Sequence, residues 1–314
     1  MVERFADAIE PILMREQPDM VLVQGDTTSA YAGALAAYRL AIPVGHVEAG
    51  LRSHDLGYPW PEERNRVMID RYADLLFAPT PEAAANLQFE AGVVKGRCLV
   101  TGNTGIDALL AMQARLPLPD RSGDMPLVLL TCHRRENIGP RIESICAAVL
   151  KLADRGDVRI LCPVHPNPAV GETVRSMLGD HPAITLAGLL RYRDAVAAMA
   201  EARLILTDSG GIQEEAPALG TPVLALREVT ERPEGIASGN LRLVGTDTDR
   251  IVAEASRLLD DPIAHAAMAR PAFPFGRGDA SVKILDAIEQ YFSSGPSGDH
   301  PLPFARARIM DGAR

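Results

Sequence analysis

Short apolar runs recur along the chain at residues 20–24, 43–48, 75–78, 98–101, 127–131, 158–164, 184–186, 204–207 and 223–226. Their length and their polar, Gly or Pro boundaries predict strands buried on both faces. Between most of them the apolar positions recur with helical period, as at 30–38, 81–91, 141–155 and 194–200. This alternation predicts an α/β protein with parallel sheets covered by helices on both faces. Residues 107–126 interrupt the pattern with Pro117, Pro119, Gly123 and Pro126 and read as an interdomain linker. Two doubly wound domains with a cleft between them are therefore expected, with ligands beyond the carboxyl ends of the strands. From Ser293 the chain is Gly/Pro-rich, then basic, and reads as a mobile tail. At the other end, Val2, Phe5, Ile9, Ile12 and Leu13 form one helical face with no strand ahead of it. A parallel domain that opens on a crossover helix reads as incomplete at its start.

Composition narrows the class only slightly. The chain has 314 residues, enough for two cores, with 47% hydrophobic and 23% charged residues, as in soluble globular proteins. Net charge is −9 and no long basic run occurs, which argues against non-specific nucleic-acid binding. No apolar run approaches the about 18–20 residues that span a bilayer, and no secretory pattern opens the chain, so a cytoplasmic protein is expected. Cys98, Cys132, Cys146 and Cys162 form no C-x-x-C pair and no metal spacing. They read as buried free thiols, and no metal or cofactor is expected.

The most informative stretch is Thr207-Asp208-Ser209-Gly210-Gly211-Ile212-Gln213-Glu214-Glu215, directly after the apolar run that ends at Leu206. It reads as a strand, a small-residue turn and a helix start. The unpaired N–H groups and positive dipole end of such a helix suit a phosphate, and the glycines allow close approach. Glu215, on about the first turn, is placed to hold a sugar hydroxyl. The Gly-x-Gly-x-x-Gly fingerprint of dinucleotide sites is absent, so the turn points to a diphosphate with an attached ribose rather than to NAD. The plain alternative is a Ser-Gly-Gly turn with a capped helix.

Three carboxylate motifs mark the first half: Asp26 in Gly-Asp-Thr-Thr, Glu48 in Gly-His-Val-Glu-Ala-Gly-Leu-Arg, and Glu62 in Pro-Trp-Pro-Glu-Glu-Arg-Asn. All fall at strand ends or loops on one expected rim, and convergent carboxylates suit proton transfer. Each has a structural alternative. Asp26 reads first as a helix N-cap, Glu48 as the partner of Arg52 or Arg64, and Glu62 as a first-turn charge on a helix with Pro61 near its first position. In the second half, His133 and Arg134 in Thr-Cys-His-Arg-Arg-Glu-Asn follow a strand, where they would attract phosphate or form a solvated turn with a Glu136 salt bridge. His165 lies in Pro-Val-His-Pro-Asn-Pro, either a rigid binding position or a plain turn. Arg232, in Thr-Glu-Arg-Pro-Glu, reaches the diphosphate or pairs with Glu231 or Glu234.

Together these motifs, with Leu243-Val244-Gly245-Thr246-Asp247, resemble the non-hydrolysing UDP-N-acetylglucosamine 2-epimerases over about residues 1–292. The resemblance implies a GT-B-type pair of Rossmann-like domains at 1–115 and 124–275. It also implies a C-terminal helix at 276–292 returning to the first domain, before the flexible tail at 293–314. It implies interconversion of UDP-N-acetylglucosamine and UDP-N-acetylmannosamine by elimination and re-addition of UDP through 2-acetamidoglucal, by a cytoplasmic homodimer that supplies cell-surface polysaccharide synthesis. Asp26, Glu48 and Glu62 match the family's catalytic acids and His133 its active-site histidine. Ser209, Gly210, Gly211 and Glu215 match its UDP-binding turn, with Glu215 on the ribose. Arg134 and His165 match positions for nucleotide binding or an adjacent regulatory site.

The chain departs from the family pattern in one respect. The first strand and the G-T-R-P-E-type loop that open family members have no counterpart, a difference on the order of 60 residues. A late start codon or a truncated, inactive relative are the two readings of it. The rivals to an epimerase are a glycosyltransferase of the same architecture, a hydrolysing 2-epimerase, and a UDP-sugar-binding protein without catalysis.

Overall fold

The computed structural model describes residues 1–117, 125–134, 137–165 and 167–293. The chain forms two compact units, Met1–Asp107 together with the chain from Phe275, and Ala108–Pro274.

The first unit opens with α1 (Val2–Glu16), β1 (Val21–Gln24), α2 (Thr28–Arg39) and β2 (Val44–Val47). It continues with α3 (Glu62–Tyr72), β3 (Leu75–Ala78), α4 (Pro81–Phe89) and β4 (Arg97–Val100), and α5 (Thr104–Gln113) begins within it. The four strands make one parallel sheet in the order β1-β2-β3-β4. Alternation along β3 shows how it is covered. Leu76 and Ala78 pack with Ala34, Ala37, Ile69 and Leu87 of α2, α3 and α4, while Leu75 and Phe77 face the opposite way. Alanine richness explains α2, where Ala30, Ala32, Ala34, Ala36 and Ala37 are all buried, so a strong helix former also lets α1 approach closely.

α5 occupies residues read as the start of the linker. No Gly or Pro follows Gly105 until Pro117, and Ile106 and Leu109 are apolar and fully covered, so the helix runs on. Residues 118–124 of that stretch, including Pro119 and Gly123, lie outside the described residues.

In the second unit β5 (Leu127–Thr131), α6 (Pro140–Ala153), β6 (Arg159–Pro163), α7 (Pro168–Leu178) and β7 (Ile184–Ala187) come first. They are followed by α8 (Tyr192–Glu201), β8 (Leu204–Thr207), α9 (Gly210–Leu219), β9 (Val223–Ala225) and α10 (Pro233–Ala237). The unit closes with β10 (Leu241–Leu243), α11 (Thr248–Asp260) and α12 (Pro262–Met268). The parallel sheet has the order β10-β9-β8-β5-β6-β7. Val128 and Leu130 of β5 pack with Ile145, Val149 and Ile251 of α6 and α11, whereas Leu127 and Leu129 pack with Val196 and Ala216 of α8 and α9. The chain winds outward from β5 through β7, then returns to start again at β8. The β5/β8 boundary is therefore the topological switch point, where open α/β sheets bind ligands. β10 is an element that the apolar pattern missed: it is three residues long, and exposed Arg242 at its centre breaks the run.

The chain then re-enters the first unit. The Asn103 N–H donates to the Phe275 carbonyl at 2.6 Å, and α13 (Ala280–Ser293) lays Ile284 and Ala287 on Leu75 and Phe77 of β3. Asp107 caps this helix, accepting from the Ala280 and Ser281 N–H groups at 3.1 and 2.7 Å. The tail at 294–314 lies outside the described residues. Of the cysteines, Cys132, Cys146 and Cys162 are buried and Cys98 is half-buried; all are free thiols. No helix among the described residues is long and apolar enough to cross a membrane.

Candidate active site

In the first unit, the ends of β1 and β2 carry two of the expected acids. The Gly25 N–H donates to the Val47 carbonyl at 3.0 Å, which draws the two strand ends together. Gly25 (φ 68°) and Glu48 (φ 70°) both take left-handed backbone. For glutamate that conformation costs about 1–3 kcal/mol and persists only where surroundings impose it. Here the next N–H, of Ala49, is held by the Phe77 carbonyl at 3.2 Å. The Glu48 carboxylate accepts from Gln24 Nε2 at 3.0 Å and lies 3.5 Å from where a Cβ on Gly25 would stand. Arg52 is not its partner. The left-handed turn at Gly50 sends Arg52 inward, onto Asp70 at 2.8 Å and Glu90 at 2.9 Å, while Arg64 is exposed on α3.

Asp26 is not the N-cap of α2. Thr27 holds that position and accepts from the Ala30 N–H at 3.1 Å. The Asp26 carboxylate is thereby left for buried Arg66 of α3, and its carbonyl accepts from Asn65 Nδ2 at 2.8 Å. Glu62 is half-buried in the first turn of α3, a position that also suits the helix dipole, and Pro61 is the N-cap. The structure thus brings the Asp26 and Glu48 turns side by side and binds the Asp26 turn to the helix that begins with Glu62. The next residue, Glu63, is buried and fixes the preceding loop by accepting from the Ser53 and His54 N–H groups at 3.0 and 3.1 Å.

In the second unit, the β5/β8 switch gathers the remaining positions. Thr131 and Thr207, paired across the boundary, share a hydroxyl hydrogen bond of 2.6 Å. Beyond β8, fully buried Asp208 organises the segment beyond β5. Its carboxylate accepts from the His133 N–H (3.0 Å), the Arg134 N–H (2.9 Å), Asn137 Nδ2 (2.8 Å) and the Cys132 thiol (3.2 Å), with His133 Nδ1 at 3.3 Å. Burial, with Asp208 beside it, pushes the Cys132 thiol well up, so it stays a neutral donor. The exposed His133 ring stacks on His165, centroids 5.7 Å apart and planes 17° from parallel. His165 also accepts from the Asn167 N–H at 3.1 Å. The expected Glu136 salt bridge and Pro166 lie outside the described residues.

α9 starts at Gly210, with Ser209 in the N-cap position, but the Ser209 side chain makes no capping hydrogen bond. The capped-helix reading of this turn therefore fails. The cation beside it is Arg232: a Cβ on Gly210 would come within 2.8 Å of its guanidinium, whereas one on Gly211 would meet nothing within 4 Å. Arg232 donates to Glu214 at 2.6 Å and pairs with Glu231. Glu231 in turn faces Arg227 at 3.0 Å and Arg134 at 3.5 Å. The guanidinium groups of Arg232, Arg227 and Arg134 thus converge on Glu231, with Arg232 against Gly210 at a helix N-terminus, an arrangement suited to a diphosphate. Glu215 is the sixth residue of α9, on its second turn. Burial pushes its carboxyl up to about 7, against the Tyr192 hydroxyl that donates to it at 3.1 Å.

The apolar pattern did not single out Asp208, Glu214, Arg66 or Asp70. Asp208 had a signal, since a carboxylate directly after a wholly buried strand needs several donors.

Comparison with known proteins decides the family. The model of the UDP-N-acetylglucosamine 2-epimerase family matches residues 1–289. The chain belongs to that family. The UDP-N-acetylglucosamine 2-epimerase of Salmonella typhimurium LT2 is 46% identical over 301 residues, covering 92% of this chain and 80% of the relative. The crystal structure of UDP-GlcNAc 2-epimerase from Neisseria meningitidis bound to UDP-GlcNAc superposes with a TM-score of 0.86 at 38% identity, covering 92% of this chain and 81% of that one. The S. aureus MnaA–UDP co-structure gives 0.88 at 42% identity, covering 93% and 81%. As a UDP-N-acetylglucosamine 2-epimerase, the chain is an isomerase with the paired Rossmann-like sheets of the GT-B class.

Proposed function

We propose that the protein interconverts UDP-N-acetylglucosamine and UDP-N-acetylmannosamine through elimination and re-addition of UDP. The carbon 2 proton of the sugar is too weakly acidic for simple removal. Loss of that proton together with cleavage of the carbon 1–oxygen bond gives 2-acetamidoglucal and UDP. UDP then adds back at carbon 1 while a proton enters carbon 2 from the other face. The scheme needs an acid and a base and a stabilised leaving diphosphate.

The observation that carries this reading is the pair of acid-bearing turns at the ends of β1 and β2, with Glu48 held in left-handed backbone. We assign Asp26, Glu48 and Glu62 to proton transfer and His133 to the reacting centre. Ser209, Gly210, Gly211, Arg134, His165 and Arg232 hold the diphosphate, and Glu215 holds the ribose hydroxyls. The Arg232 guanidinium lying against Gly210 at the start of α9 supports the diphosphate assignment. The reading carries with it a homodimer in the cytoplasm, which sedimentation would test.

The experiment is proton NMR of UDP-N-acetylglucosamine with the protein in deuterated water. Deuterium at carbon 2 together with UDP-N-acetylmannosamine is expected, and free N-acetylmannosamine would mark a hydrolase instead. Glu48→Gln, run alongside, should slow exchange on the order of 10²-fold or more with UDP affinity nearly unchanged. Undiminished exchange in that variant would remove Glu48 from the proposal.

A further inference from the structure

His46 lies within β2, fully buried, two residues before Glu48. Its Nδ1 stands 2.6 Å from Asp70 Oδ1, and its Nε2 stands 2.9 Å from the Gly25 carbonyl oxygen. A carboxylate and a carbonyl oxygen can only accept, so both ring nitrogens must donate. Neutral imidazole carries a single N–H, so against an ionised Asp70, which Arg52 also holds at 2.8 Å, the two contacts call for a doubly protonated ring. Asp70 is its counter-ion. Burial alone would raise the Asp70 carboxyl, but His46 and Arg52 beside it hold it below the usual carboxylate range. Other charged or titratable groups around the pair include Arg52, Glu90 on Arg52, Asp74 on the Val44 N–H, Glu48 beside Gly25, and Cys98 of β4, whose thiol burial pushes up to about 11.

The bonds of this pair lead to the two acid-bearing turns. The Gly25 carbonyl that His46 grips belongs to the peptide joining Gly25 to Asp26. Asp70 Oδ2 accepts from the Gly50 N–H at 3.2 Å, two residues beyond Glu48, and from Arg52 at 2.8 Å. A buried ion pair is a poor stabiliser, because desolvation cancels much of its attraction. What it supplies here is direction, since each partner points at one backbone group.

We infer that His46 and Asp70 are positioning residues, a buried imidazolium–carboxylate clamp that fixes the Asp26 and Glu48 turns relative to each other without touching substrate. The inference rests on the assignment of those two acids to proton transfer. Displacing catalytic groups by as little as ~1 Å can cost on the order of 10²-fold in rate. The clamp therefore acts on turnover, not on nucleotide affinity.

Two measurements on the full chain test it. In protein labelled with ¹⁵N-histidine, two-bond proton–nitrogen NMR at neutral pH should show the His46 ring, identified by its loss in His46→Gln, with both nitrogens protonated. A single-N–H ring overturns the clamp as described, whether or not the protein turns over substrate. In Asp70→Asn, folded by circular dichroism, kcat should fall on the order of 10²-fold while KM and UDP affinity change by less than about threefold. Wild-type kcat in the folded variant, or equal losses in kcat and UDP affinity, would overturn a positioning role. If the wild-type chain itself gives no carbon 2 exchange, the proposed function fails while the NMR result still decides the clamp.

Discussion

At the residue scale, Glu215 is the group whose ionisation matters most within the range where enzymes are assayed. Its folded value of about 7 lies above its ordinary 4.5 because burial penalises the charged form. The folded protein thus holds this proton more tightly than the unfolded chain. Its contribution to stability is present at acid pH and fades as pH rises through 7. Nucleotide binding should run the opposite way, because only the carboxylate accepts hydrogen bonds from both ribose hydroxyls. UDP affinity, measured by calorimetry, should fall as pH drops from 8 to 6, by at most about tenfold per unit below 7. Glu215→Gln should bind UDP more weakly at pH 8 and lose that part of the pH dependence. An identical pH profile in the variant would place the titration elsewhere.

At the scale of elements, the start of α9 offers a paired test. Gly210→Ala forces a Cβ to within 2.8 Å of a guanidinium that Glu214 and Glu231 already hold, so Arg232 must leave one of them. A fall in Tm and UDP binding weakened on the order of tenfold or more are expected, since displacing one partner of a buried charge pair costs about 3–5 kcal/mol. Gly211→Ala meets nothing within 4 Å and should leave Tm unchanged. Equal Tm losses would show that backbone freedom, not Arg232, sets the requirement.

The same elements show what the sequence could reveal. The edges of β3, β5 and β8 were readable because those strands are buried along nearly their whole length. The start of α3 was readable from Pro61 and its acidic first turn, but its packing was not. Its buried face is Glu63, Asn65, Arg66, Ile69 and Asp70, nearly all polar, and hydropathy scores such a face as solvent-exposed. For the same reason Asp70 and Arg66 escaped notice although they brace the acids, while His46 lay inside the apolar run of β2. Likewise, Asp26 looked like a cap because spacing alone cannot tell it from Thr27, which took the role.

At the scale of the whole molecule, the described clusters of buried apolar residues fall within one unit or the other, and α13 belongs to the first. A chain ended at Asp279 would uncover Leu75 and Phe77 and leave the Asp107 carboxylate without the helix it caps. Hydrogen exchange should then show amides of β2 and β3 losing protection, while β5 and β8 keep theirs. Unchanged protection in β3 would mean that α13 is an ornament on a sheet already stable without it.

That late return also dictates an order of assembly at the ribosome. Everything between Ala108 and Pro274 is synthesised before Ala280 appears, on the order of ten seconds of elongation at cellular rates. Throughout that interval Phe77 lacks the cover of Ile284 and Ala287, while the second unit, an uninterrupted segment, already has all its strands. The half of the protein made first is therefore the half completed last, and a nascent chain stalled before α13 would offer chaperones an apolar sheet face while the second unit is already complete.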